Sequence, residues 1–216
     1  MRIEVWSDVV CPWCYIGKRR LESALAKFEH ADEVEVVWRS FELDPDTPAD
    51  ATGDLVGHLA AKYGGGREAA ESMMDRVAEV ARGEDLHYRF DIAQRGNTFD
   101  AHRLIHFAAD HGLQGEMKER VMEAYFTEGA APNDRPTLAK LAADVGLDAD
   151  ETLATLASDR YVDEVRTDEA MARELGVNGV PFFVIDRAYG VSGAQDADRL
   201  LEVIREAWTE SHSTLS

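Results

Sequence analysis

Two cysteines are all that this chain of 216 residues contains, and they stand three positions apart in "VCPWCY", at Cys11 and Cys14. Such scarcity excludes a scaffold built on disulfides, and a bridge closing so short a loop would remove little entropy from the unfolded chain. Basic charge is scarce as well: 23 basic residues, five of them lysine, face 42 acidic ones, for a formal charge of −19. A surface of that sign repels phosphate backbones and anionic lipid, so neither nucleic acid nor a membrane is an expected partner. The acids are spread in pieces such as "DPDTPAD" and "RYVDEVRTDE" rather than gathered in a tail. Two readings stay open, an ordinary solvated surface or a halophilic one adapted to salt that screens its self-repulsion. No run reaches the roughly 18 apolar residues of a membrane span, and "MRIEVWSDVV" lacks a basic start followed by a long apolar stretch. The expectation is a soluble, cytoplasmic protein, where a CxxC pair is held reduced and is usually catalytic or metal-binding.

What is present, 45% hydrophobic and 30% charged residues, suffices to bury a core in one large domain or two small ones. "RIEVWSD" alternates Ile3 and Val5 with Glu4 and Trp6 and predicts a first strand ending just before the cysteines. Beyond it, "WCYIGKRRLESALAKFEH" sets Ile16, Leu21, Leu25 and Phe28 at helical spacing behind Pro12, a residue suited to a first helical turn. Cys11 is therefore predicted at a helix N-terminus. "VEVVWRSFEL" returns to strand composition, which completes a β-α-β unit in the first 45 residues. Six short helical patterns follow between Thr52 and Tyr161, then a helix in "DEVRTDEAMARELG", a strand in "VPFFVID", a turn or edge strand in "YGVSG" and a last amphipathic helix. A central sheet assembled from both chain ends, with helices inserted between them, is the simplest packing.

Disulfide exchange needs one exposed sulfur with stabilised thiolate character and a second close enough to displace the mixed disulfide. CxxC at a helix start meets both needs: the helix N-terminus favours the anion at Cys11, while Cys14, one turn further in, is shielded and resolves. Half of a zinc site and an inert pair are the competing readings, and the chain has no second CxxC to complete the former. Trp13 brings neither positive charge nor acceptor to the thiolate, and Glu4 and Asp8, if close, would oppose it. A reducing couple is expected rather than a strongly oxidising one.

"SDVVCPWCYIGKRRLE", with "GVNGVPFF", "NTFDAHRLIHFA" and "VSGAQ", resembles the DsbA-like thioredoxin-fold family, in particular its FrnE-like branch, over nearly the whole chain. The resemblance implies an α/β, thioredoxin-like fold with an inserted all-helical domain. The thioredoxin-like part would comprise residues 1–48 and 162–216, and the helical insertion residues 49–161. It also implies dithiol-disulfide exchange acting as a reductase or disulfide isomerase, without a bound cofactor beyond the redox-active Cys11-Cys14 pair. Disulfide-containing proteins or peptides, or small thiols with glutathione as candidate co-substrate, would be its partners. Pro12 and Trp13 flank the thiols, Pro181 matches the family's cis proline, and Val180 would supply backbone to an extended substrate. The residues alone would read Pro181 as an ordinary trans proline opening a strand. By likeness to the related glutathione transferase kappa and 2-hydroxychromene-2-carboxylate isomerase families, Asn97 and His102 would face Cys11, against a local reading as a Thr98 helix cap with ordinary packing. A glutathione-dependent transferase or isomerase on the same fold is the alternative function, although those relatives generally carry Ser where Cys11 stands.

The other motifs are weaker. His102, His106 and Asp110 share a helix row that could hold a metal but lack an HExxH arrangement, so no metal site is expected. "YGGGRE" has no preceding strand and no Lys-Ser/Thr, and reads as an inter-helix loop. "VSGAQD" opens the last helix either as a plain N-terminus or as a cradle for a carboxylate. The sequence leaves the oligomeric state open.

Overall fold

A computed structural model describes residues 1–213. Its elements, in chain order, are β1 (Arg2–Ser7), α1 (Pro12–Leu25), β2 (Glu35–Ser40), α2 (Leu55–Tyr63), α3 (Gly66–Arg82), α4 (Phe99–Ala109), α5 (Gln114–Glu123), α6 (Arg135–Asp144), α7 (Ala149–Ala157), α8 (Val162–Glu174), β3 (Phe182–Ile185), β4 (Tyr189–Ser192) and α9 (Ala197–Ser213). The strands form one sheet in the order β2-β1-β3-β4. β1 runs parallel to β2, from Arg2↔Glu35 to Ser7↔Ser40, and antiparallel to β3, from Ile3↔Ile185 to Trp6↔Phe182. Both chain ends thus contribute to the sheet, and helices α2 to α7 lie between them in sequence. This is the thioredoxin-like fold with a helical insertion.

Both faces of β1 are covered. Ile3 and Val5 join the large core with Ile16, Leu21 and Phe183, while Trp6 packs with Ala172, Val177 and Val184 on the opposite side. The Trp6 Nε1–H donates to the Asp168 carbonyl at 2.8 Å, which ties β1 to α8. Glu4 is buried too, bound by the Arg39 guanidinium, which also reaches Asp168 at 3.0 Å. A central strand under helices on both sides has no solvent face, so its polar residue must carry its partner inward with it.

The insertion is joined to the sheet by the same core, in which Leu104, Phe107, Met117, Val121, Phe126 and Leu156 continue the cluster begun by Ile3 and Ile16. Among its helices, α4 carries Arg103, a fully buried guanidinium. Its nitrogens donate to the carbonyls of Arg160 (2.8 Å), Leu156 (3.2 Å), Thr155 (2.9 Å) and Ser158, and to Asp100 at 2.7 Å. Those carbonyls lie at the end of α7 and in the turn after it, so one side chain caps a helix terminus from a neighbouring element. Residues 83–98 are not helical, unlike the expectation for the middle of the chain. They cross the back of the dithiol helix, where Tyr88 stacks on Phe126 at 4.3 Å between ring centroids and its hydroxyl donates to the Pro12 carbonyl at 2.8 Å. A π-helical turn at Ala124–Glu128 presents Tyr125 and Phe126 to this region. No helix among the described residues is long and apolar enough to cross a membrane.

Candidate active site: a dithiol at a helix start

Cys11 is the N-cap of α1, with extended backbone (φ −85°, ψ 114°), and Pro12 occupies the first turn. Its carbonyl receives the amides of Cys14 (3.0 Å) and Tyr15 (3.4 Å), so the helix begins at the cysteine. The two thiols are free, and Cys14 lies within hydrogen-bond reach of Cys11. Contrary to the expectation of an exposed nucleophile, Cys11 is only 4% exposed, against 1% for Cys14. What distinguishes them is position: Cys11 lines a cavity of about 430 Å³, whereas Cys14 does not line it. Burial, together with the Cys11 neighbour, pushes the Cys14 thiol well above its ordinary value. Cys14 is held as a thiol behind Cys11.

Across from Cys11 the Val180–Pro181 bond is cis. The Val180 carbonyl oxygen lies 3.6 Å from the Cys11 Sγ. The Pro181 carbonyl accepts the Gly193 amide at 2.8 Å, and the Ala194 carbonyl accepts from Arg20 at 2.7 Å. "VSGAQD" therefore braces the proline loop, and its Gly193 amide is already used rather than offered to a carboxylate. Gly17 of α1 permits the close approach, since a Cβ there would stand 2.8 Å from the Pro181 Cγ. Trp13, 40% exposed, stands with Pro12 and Val180 at the same cavity.

Asn97 and His102 are placed differently from the expectation, and neither lines the cavity. The Asn97 Nδ2 donates to the Thr47 carbonyl at 2.8 Å and its Oδ1 accepts the Phe99 amide at 2.9 Å, so Asn97 rather than the Thr98 side chain caps α4. His102 is fully buried, with Nε2 3.2 Å from the Asp8 Oδ1. His106 points elsewhere, to the Ser40 hydroxyl and to Asp168, each at 3.1 Å. The two histidines of the row serve two different acids.

Beneath the dithiol sits a polar cluster that sequence reasoning did not assemble. Asp8 accepts from His102 and, at 2.8 Å, from the Leu43 amide. Lys118 of α5 is fully buried and donates to the Ser7 carbonyl at 3.1 Å. Burial alone would push the Asp8 carboxyl up, but the hydrogen bonds from His102 and Leu43 and the Lys118 charge hold it below its ordinary value. Burial brings the Lys118 ammonium down to about 8, against the opposing pull of Cys14, Asp8 and Cys11. Lys118 thus supplies the positive charge that Trp13 does not, and the feared repulsion from Asp8 is offset. Glu4 takes no part, being paired with Arg39. The only sequence signal was a lysine on the apolar row Met117–Val121 of α5, where a solvated face was the natural reading.

Burial also lowers His102 below the ordinary imidazole value, so it stands neutral and donates to Asp8. An unfolded chain then binds the proton more readily than the folded one. Stability should be full above pH ~6.5 and fall below it, by up to about 1.4 kcal/mol per pH unit for one such group. The depressed Asp8 adds a loss only near and below its ordinary value of 3.8. Glu42, pushed up to about 7 by burial, works the other way, because the folded chain takes up that proton more readily than the unfolded one. The His102 contribution is therefore read as a difference: as pH falls from 7 to 5 the urea midpoint of His102→Gln, which keeps a donor without titrating, should gain on that of the wild type, and a constant gap over that range would contradict the assignment.

The comparisons agree with this geometry. Residues 2–205 match the model of the DSBA-like thioredoxin domain. A crystal structure described as a probable DsbA oxidoreductase of Streptomyces coelicolor is 47% identical, covering 97% of this chain and 91% of that one, with a TM-score of 0.93. The uncharacterized protein YwbO of Bacillus subtilis is 30% identical over 186 residues, 86% of each chain. The cytosolic disulfide reductase DsbM of Pseudomonas aeruginosa shares the fold at 17% identity and a TM-score of 0.66, with 100% of both chains covered, and has also been solved with GSH. With a cysteine pair at the first helix, a cis proline opposite and this match over nearly its full length, the chain belongs to the DsbA-like thioredoxin domain family.

Proposed function

We propose that the protein is a thiol-disulfide oxidoreductase working as a reductase or disulfide isomerase in a reducing compartment, with Cys11 as nucleophile and Cys14 as resolving thiol. The observation that carries this reading is the asymmetry of the pair. Cys11 caps a helix at the wall of a cavity, and Cys14 is buried behind it with its proton retained. The Cys11 thiolate attacks a substrate disulfide, forming one S–S bond while the substrate's other sulfur leaves as a thiolate that takes up a proton. Cys14, losing its proton, then attacks the Cys11 sulfur and releases the second substrate thiol. The substrate gains two electrons and the protein is left with a Cys11-Cys14 disulfide, which an external thiol reduces again. In isomerisation the substrate's own freed thiol attacks the mixed disulfide instead, and there is no net oxidation.

Val180 and Pro181, with Pro12 and Trp13, form the wall against which an extended substrate lies. The cavity is closed on its other side by Leu55, Met74 and Tyr125, so the groove lies between residues 1–48 and 162–216, which bear the sheet, and the helical residues 49–161. Glutathione is a candidate thiol, in keeping with the Pseudomonas reductase solved with GSH. Trapping tests the reading. Cys14→Ala should accumulate mixed disulfides on Cys11 with a reference disulfide substrate, detected by mass and released by dithiothreitol. Absence of any adduct, or adducts formed equally by Cys11→Ala, would refute the assignment.

A further inference from the structure

The cavity beside Cys11 departs from the charge of the rest of the protein. Against 42 acidic and 23 basic residues in the chain, the cavity is lined by three basic side chains, His58, Lys62 and Arg95, and one acidic one, Asp44. Asp44 is shared by two of them: its Oδ2 lies 3.3 Å from the His58 Nε2 and 3.7 Å from the Lys62 Nζ, which also donates to the Leu43 carbonyl at 3.3 Å. Burial and the Arg95 charge lower His58 below its ordinary value. At neutral pH the wall therefore carries two cations, Lys62 and Arg95, and one anion.

Arg95 is the member left over. Its Nε is buried and has no hydrogen-bond partner among the described residues. The Nε is closed off from solvent, but the side chain as a whole is only half-buried and lines the cavity, and a guanidinium's fork of donors matches a carboxylate. The segment that carries it is fixed rather than loose at this point: the Arg95 amide reaches the Gly53 carbonyl at 3.5 Å, and Asp54 and Gln94 form an isolated bridge. Most of the remaining lining, including Leu55, Leu59, Met74 and Phe90, is apolar, with Thr47, Tyr63 and Asn178 as uncharged polar members. A cavity of about 430 Å³ with few convergent polar groups is of a size for a small molecule.

We propose that Arg95, supported by Lys62, is a carboxylate-binding subsite that selects small, carboxylate-bearing thiols and their disulfides for reaction at Cys11. This rests on the oxidoreductase reading above and adds to it the substrate class and the residue that recognises it. A carboxylate on the Arg95 guanidinium at the cavity wall holds an anionic substrate against a protein whose other surface repels it, while the apolar wall and Trp13 contact its body. Asp44 opposes a second carboxylate close to Lys62, so the subsite takes one.

Binding without chemistry separates this from the dithiol reading. S-methylglutathione, which cannot exchange, should bind the wild-type protein in calorimetry. Arg95→Ala should weaken that binding roughly tenfold or more, the loss expected for a charge-assisted hydrogen bond, and Arg95→Lys should restore part of it. No binding by the wild-type protein, or equal binding by Arg95→Ala, overturns the subsite whether or not the cysteines are active. In turnover, the ratio of kcat/KM for glutathione disulfide over neutral 2-hydroxyethyl disulfide should fall roughly tenfold in Arg95→Ala. A parallel loss on both substrates would show a structural role and overturn the proposal. Should only a disulfide peptide flanked by Asp or Glu depend on Arg95, the carboxylate is a protein side chain and the small-thiol assignment is refuted.

Discussion

Replacing Cys11 by serine is expected to bring disulfide reduction down to the uncatalysed rate, while Cys14→Ser keeps the first half-reaction and loses turnover. A serine hydroxyl does not attack a disulfide at neutral pH, so nothing replaces the first bond-forming step. In Cys14→Ser the nucleophile still lines the cavity, and the mixed disulfide forms but waits for an external thiol. The contrast shows in two assays on the same proteins: steady-state reduction falls in both variants, whereas stoichiometric adduct formation in a single turnover survives only in Cys14→Ser. Retention of steady-state activity in Cys11→Ser would place the chemistry elsewhere.

The largest effect on stability is expected at Arg103. Its guanidinium is buried among the carbonyls of Thr155, Leu156 and Arg160 and the Asp100 carboxylate, at 2.7 to 3.2 Å. Removing it takes a donor from each of these acceptors; Thr155 keeps the Ser158 amide and hydroxyl, at 3.1 and 2.8 Å, and Asp100 keeps Arg135, at 2.6 Å. Loss of one partner from a buried charged network costs about 3–5 kcal/mol, a large share of the stability of an ordinary domain. Arg103→Ala should lower the free energy of unfolding by that amount in urea denaturation. Arg103→Lys should recover little, because an ammonium cannot reach several carbonyls in one plane. A change under about 1 kcal/mol would show that water enters and caps α7 in its place.

Arg103 also shows where sequence reading stops. The stretch "NTFDAHRLIHFA" was legible as a helix and as a family feature, but its side chains work on partners far along the chain: Arg103 on the end of α7, His102 on Asp8, His106 on Asp168. No spacing within the helix carries that information. The dithiol was fully legible, because Pro12 and the apolar row after it place Cys11 at the helix start by local rules alone. Pro181 needed the family likeness, since local preference favours trans. Strand β1 was legible from its alternation, but that α8 covers Trp6 on its second face was not, because the covering helix lies far along the chain. Lys118 was invisible for the same reason. A lysine is almost always solvated, and only the packing of α5 under β1 and α1 encloses this one. The exposure of Cys11 was overstated because residues 83–98 and the π-helical turn, neither forecast, supply Phe90, Arg95 and Tyr125 to the cavity that Cys11 lines.

On the proposed function the two thiols differ in kind, one a nucleophile at a cavity wall, the other a shielded thiol held protonated by burial. Alkylation of the fully reduced protein by iodoacetamide at pH 7, with each cysteine followed by peptide mass spectrometry, measures this difference directly. Cys11 should be modified at least about tenfold faster than Cys14, since the thiolate is the reacting species and access favours the first. Equal rates, or faster modification of Cys14, would contradict the account.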